Sequence, residues 1–114
     1  MKAVPLVLAA AACQSAPVPA QAACSVTVSF GSYAMGIDAG AAAAIDKLLA
    51  SSKDVKTVTR TGGGREGEYA LCVQTRNKAD AARVVEQIRA ILPAKPRGPI
   101  RVEGAGKRID APTR

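Results

Sequence analysis

Residues 24–30, Cys-Ser-Val-Thr-Val-Ser-Phe, alternate apolar and polar with period two, which predicts a strand buried on one face. Gly31 to Gly36 read as a loop. From Ile37 to Ser52 the period changes: Ile37, Ala41, Ala44, Ile45, Leu48 and Leu49 fall on one helical stripe, with Asp38 placed to cap the first turn. Val55 to Thr61 is rich in β-branched residues, and Glu68 to Thr75 alternates through Tyr69, Leu71 and Val73. The glycine-rich segment Gly62 to Gly67 between them predicts a long-looped hairpin. Asn77 can cap a second helix running to Leu92, with Asp80 three residues on, a stripe of Ala81, Val84, Val85, Ile88, Ile91 and Leu92, and Pro93 as its stop. Gly98 to Glu103 supplies a last strand with Ile100 and Val102 on one face.

The order β-α-β-β-α-β is that of ferredoxin-like sandwiches, an α+β class in which two helices pack on one face of a four-stranded antiparallel sheet. The expected strand order is 4-1-3-2. Val26, Val28, Ile45, Leu49, Leu71, Val84 and Ile88 are expected to be buried together. Thr27, Ser29, Val58, Arg60, Ala70, Gln74 and Arg101 are expected to face outward. Residues 23–103 then form one domain, and residues 104–114, which lack periodicity, a flexible basic tail.

The first 22 residues have a different character. Met1-Lys2 is followed by an apolar run from Ala3 to Ala12, too short to span a membrane, and Ala20-Gln21-Ala22 fits signal-peptidase cleavage. A second exit is open, because Ala10-Ala11-Ala12-Cys13 resembles the lipobox of bacterial lipoproteins and would place lipid on Cys13. Either way the chain is expected to be exported, to the periplasm or beyond it, or to be held at the membrane if Cys13 is lipidated.

Export changes how the three cysteines are read. With Cys13 discarded or lipidated, Cys24 and Cys72 remain as a pair in an oxidising compartment, and a disulfide is expected. Strict alternation opposes it: Cys24 shares a face with Val26, whereas Cys72 lies opposite Leu71 and Val73. The bond therefore requires a bulge, or Cys24 lying outside its strand.

The chemistry is sparse. The sequence contains no histidine, which removes the usual general base and the commonest metal ligand. Carboxylates such as Asp38, Asp46 and Asp54 sit where solvated caps and faces need them. Glu66 and Glu68 lie by a glycine loop ill suited to hold catalytic geometry. Gly62-Gly63-Gly64-Arg65 invites comparison with a phosphate-cradling loop, but no lysine-serine pair follows and a strand comes next. No catalytic residue, metal ligand or cofactor site is expected.

Charge is the remaining hint. The formal net charge is +7, and losing Lys2 with residues 1–22 leaves +6. Outside the cytoplasm such a domain meets anionic envelope components or other envelope proteins. Nucleic acid is not an expected partner, because the outward sheet positions lack the aromatics on which bases stack. Two functions follow: a non-enzymatic envelope interaction module, or a domain binding a small ligand or polyanion through Arg60, Arg65 and Arg101.

Overall fold

The computed structural model describes residues 23–63 and 66–113. The elements run β1 (Val26–Phe30), α1 (Ala39–Ser51), β2 (Thr57–Gly62), β3 (Tyr69–Gln74), α2 (Lys78–Ile91), β4 (Ile100–Gly104) and β5 (Lys107–Ala111). The two helices pack on a five-stranded antiparallel sheet of order β2-β3-β1-β4-β5. The first four strands keep the expected order. The four-strand expectation is corrected by β5, which pairs with β4 along its whole length.

The period-two patterns explain the core. In β1, Val26, Val28 and Phe30 are buried, while β3 contributes Tyr69, Leu71 and Val73 and β4 contributes Ile100 and Val102. These strands place directly opposed residues on one face, so the registers Val28↔Leu71 and Val28↔Val102 align the apolar rows. The rows meet Ala41, Ala42, Ile45 and Leu49 of α1 and Ala81, Val84, Val85 and Ile88 of α2. The helical stripes differ from expectation at two points: Ala42 rather than Ala44 is buried, and Ile91 is 40% exposed.

Residues 104–114 were expected to be a flexible tail, yet most of them form a hairpin with β4. Ala105 and Gly106 both have positive φ, 51° and 77°, as two-residue hairpin turns with the strands' own twist require. Lys107 Nζ then reaches Glu86 Oε2 on α2 at 3.1 Å. That bond is the main reason the Glu86 carboxyl lies below its ordinary range, with some loss of solvation opposing and Arg89 assisting. The last strand is thus fastened to both the sheet and the helix layer.

The disulfide joins Cys24 to Cys72, with Cα atoms 5.2 Å apart. The facing conflict is resolved at the N-terminal end: β1 begins only at Val26, so Cys24 is free of the strand's alternation and reaches the open side, where Cys72 stands opposite Thr27. Ser25 closes the same corner, its hydroxyl donating to Gln74 Oε1 at 3.2 Å and accepting from Thr75 N at 3.0 Å.

Two polar devices fix the helices. Asp54 and Asp80, both buried, share Arg83: Arg83 Nε donates to Asp54 Oδ1 at 3.3 Å, and its Nη2 donates to Asp80 Oδ1. Gln87 adds a bond to Asp54 Oδ2 at 2.9 Å. Desolvation pushes the Asp54 carboxyl up, but the Gln87 and Arg83 bonds outweigh it and hold it below its ordinary range. Arg76 Nε lies 3.4 Å from the second Asp80 oxygen. This cluster ties the exit of α1 to α2 and reads as structural.

Asp38 is the other device. Its Oδ1 caps α1 by accepting from Ala41 N at 3.0 Å, and its Oδ2 accepts from Arg97 N at 2.9 Å. The Ala41 amide first, then that of Arg97, hold this carboxyl below its ordinary value. A folded-state pKa below the unfolded one contributes stability that is present above the unfolded value, roughly pH 4, and lost as pH falls through the folded value. Asp38→Asn, which still caps but does not titrate, is expected to flatten the acid limb of a melting-temperature profile below about pH 4. Asp38→Ala is expected to cost about 1–2 kcal/mol at pH 7. An unchanged acid limb in Asp38→Asn would show that the capping carboxylate is not what acid titrates.

Candidate recognition site at one end of the open face

With both helices on one side, the other side of the sheet is uncovered. Rows set by register cross it: Thr59, Cys72, Thr27, Glu103 and Arg108 in one, and Thr61, Ala70, Ser29, Arg101 and Asp110 in the next. Threonine and serine fill the β2 and β1 positions, the disulfide-bonded Cys72 and Ala70 those of β3, and charged residues the β4 and β5 positions.

At the end of β1 the loop Gly31–Gly36 rises beside this face. Ser32 organises it through its hydroxyl, which donates to Glu66 Oε1 at 2.5 Å and accepts from Ala34 N at 2.8 Å and Gly36 N at 2.9 Å. One donor and two acceptor positions are all a serine hydroxyl has, and all are used. Ala34 is held at φ 107°, a left-handed conformation unfavourable for a residue with a Cβ. The flanking side chains turn outward, leaving Tyr33 57% and Met35 90% exposed.

The loop is seated on the segment before β4. Gly31 N donates to Pro99 O at 2.8 Å. A Cβ on Gly98 would lie 2.3 Å from Gly31 O, so only glycine permits this approach. Between loop and sheet runs a groove of about 480 Å3, with Tyr33, Pro99 and Pro112 as apolar walls and Ser29, Arg101, Arg108 and Asp110 on its polar side. Arg101 Nε donates to Asp110 Oδ1 at 3.0 Å, and Arg108 Nε to Asp110 Oδ2 at 3.2 Å. The Arg101 bond is the largest cause holding the Asp110 carboxyl below its ordinary range; desolvation opposes it and Arg108 assists.

No family model, curated protein or solved structure matches this chain. Its site is therefore read from its own residues. Of the three arginines expected to act together, Arg101 lies on the open face. Arg60 does not: it stands opposite Leu71, on the helix side of the sheet, with its guanidinium carbon 3.7 Å from the centre of the Tyr69 ring. Val58, opposite Val73, is likewise on that side. The expectation that both face outward with Thr27 and Arg101 is corrected by this register; they are exposed because the helices do not cover β2. Arg65 and Cys13 lie outside the described residues.

Tyr69 is committed to packing, its ring 4.9 Å from that of Phe30 and its hydroxyl pushed up in pKa by burial and by Asp46, against the opposing charge of Arg60. Among the described residues no group of three or more Cys, Asp or Glu is placed to hold a metal ion, and no helix is long and apolar enough to cross a membrane. Sequence reasoning missed Arg108 and Asp110 as site residues. Their signal was the alternation Arg108-Ile109-Asp110-Ala111, read as tail because one large apolar residue is a faint strand pattern.

Proposed function

We propose that this chain is an exported, non-enzymatic recognition module that works in the periplasm, outside the cell or at the envelope, and binds a partner protein through the loop end of its open sheet face. The observation that carries the reading is the pairing of an outward Tyr33 and Met35 with an adjoining groove walled by prolines and edged by arginines. Tyrosine, methionine and arginine are the side chains enriched where proteins dock, because they bury much area around a polar tip or an adaptable stem. The Cys24–Cys72 bond supports an oxidising destination. Residues 1–22 support export by cleavage before Ala23, or lipidation at Cys13 and attachment to the membrane. The first four strands and both helices are read as a ferredoxin-like βαββαβ sandwich to which β5 is appended.

The alternative of a polyanion surface built jointly from Arg60, Arg65 and Arg101 is weaker, since Arg60 and Arg101 stand on opposite sides of the sheet. The test is capture from envelope extract by the oxidised protein and by two variants. The double variant Tyr33→Ser/Met35→Ser is expected to lose the bound partner at least about tenfold, as removal of central anchors does. Val58→Ser, which removes an exposed apolar side chain from the other side of the sheet, is expected to keep it. Capture that survives the loop variant and fails with Val58→Ser would move the interface to the β2 edge.

A further inference from the structure

Each ion pair at the groove uses the Nε of a guanidinium, and among the described residues the terminal nitrogens of Arg101 and Arg108 have no hydrogen-bond partner. A guanidinium carries five N–H donors in a planar fork, so the outer donors of both remain available. The two side chains are 48% and 54% exposed, and the carboxylate between them is 36% exposed. Asp110 thus aims two forks from adjacent strands without satisfying either. Free arginine side chains lose rotamer entropy when a ligand fixes them, and a shared carboxylate that already restrains them lowers that cost.

From this the geometry points to a carboxylate-binding site, in which Arg101 and Arg108 take an acidic side chain of an extended segment of the partner protein while a neighbouring apolar side chain lies against Tyr33, Pro99 and Pro112. The inference rests on the open-face reading above and names its ligand. An acidic peptide fits better than a continuous polyanion for a reason of charge. Two arginines against Asp110 leave one local positive charge, and Glu103, next to Arg108 across the β4–β5 pair, is a further negative group on the same face. A sulfated or phosphorylated polymer crossing the face would meet both acids, whereas one carboxylate beside an apolar residue meets the forks and the proline walls.

The oxidised full-length protein after its cellular processing is titrated into a fluorescein-labelled peptide alternating glutamate with leucine and proline, into its glutamine counterpart, and into labelled heparin. The glutamate peptide is expected to bind about tenfold tighter than the glutamine peptide, and Arg101→Lys, which keeps the charge and loses the fork, to weaken it by about tenfold. Asp110→Asn decides the mechanism. It makes the protein more positive, so a diffuse basic surface would bind the peptide more tightly, while a positioned pair of forks loses its organiser and binds more weakly. Its melting curve, recorded alongside, shows whether β5 is retained; should β5 be lost, Arg101→Lys carries the decision alone. Unchanged binding in Arg101→Lys, tighter binding in a folded Asp110→Asn, or heparin bound in preference to the glutamate peptide would overturn the assignment. Those outcomes leave the loop-dependent capture experiment unaffected, so failure here is separable from failure of the open-face reading.

Discussion

Reduction of the Cys24–Cys72 bond is expected to lower the melting temperature by roughly 15–30 °C. The bond closes a loop with a sequence separation of 48. In the chain-entropy account, cross-linking such a loop removes freedom from the unfolded chain worth about 4 kcal/mol. A domain of this size responds by roughly 4–8 °C per kcal/mol, and its whole stability is only about 5–15 kcal/mol. The aliphatic core adds to the dependence: its largest fully buried side chains are Ile45, Ile88 and Ile100, with valines for the rest. Cys72→Ser and wild type in reductant should therefore melt together, well below the oxidised protein. A drop of under about 3 °C would mean that the β1–β3 corner is held by Ser25 and Gln74 without the bond.

The second large effect is expected at Ile88. Its side chain is fully buried in the layer between α2 and the sheet, whereas Ile91, three residues on, is 40% exposed. Ile88→Ala removes three carbons from a site that cannot collapse without moving the helix, and is expected to cost about 2–5 kcal/mol. Ile91→Ala is expected to cost about 1 kcal/mol or less, because much of that side chain already meets water. The pair is informative together, since sequence periodicity puts both on the buried stripe. Chemical denaturation of the two variants measures the difference, and equal losses would mean that α2 is rotated from the position described.

That contrast shows what could be read in the chain and what could not. Strands β1, β3 and β4 were legible because each is wet on one side and dry on the other, so burial is written as alternation. Both helices were legible from their stripes, and Asp38 and Asn77 cap them as their residue types suggest. The face of β2 was not legible. Its helix side is left uncovered, so Val58 and Arg60 carry no burial signal, and only pairing with β3 sets their direction. β5 was hidden for a related reason: its turn uses Ala105 where asparagine or glycine would announce a hairpin, and its hold on the fold comes from β4 and Glu86, distant in sequence. The proposed recognition site inherits both difficulties. Arg101 was singled out by its charge on an outward position, but the residue it pairs with, Asp110, stood in a segment without visible structure.

Whether the loop end of the open face meets a partner is tested most directly by crosslinking in the producing cell. A photoreactive amino acid is placed at Met35, 90% exposed at the loop tip, or at Ala50 on the exposed side of α1. A discrete higher-mass adduct is expected from position 35, diminished by Arg101→Lys, and none from position 50. An adduct from position 50 with none from position 35 would contradict it and place recognition on the helices.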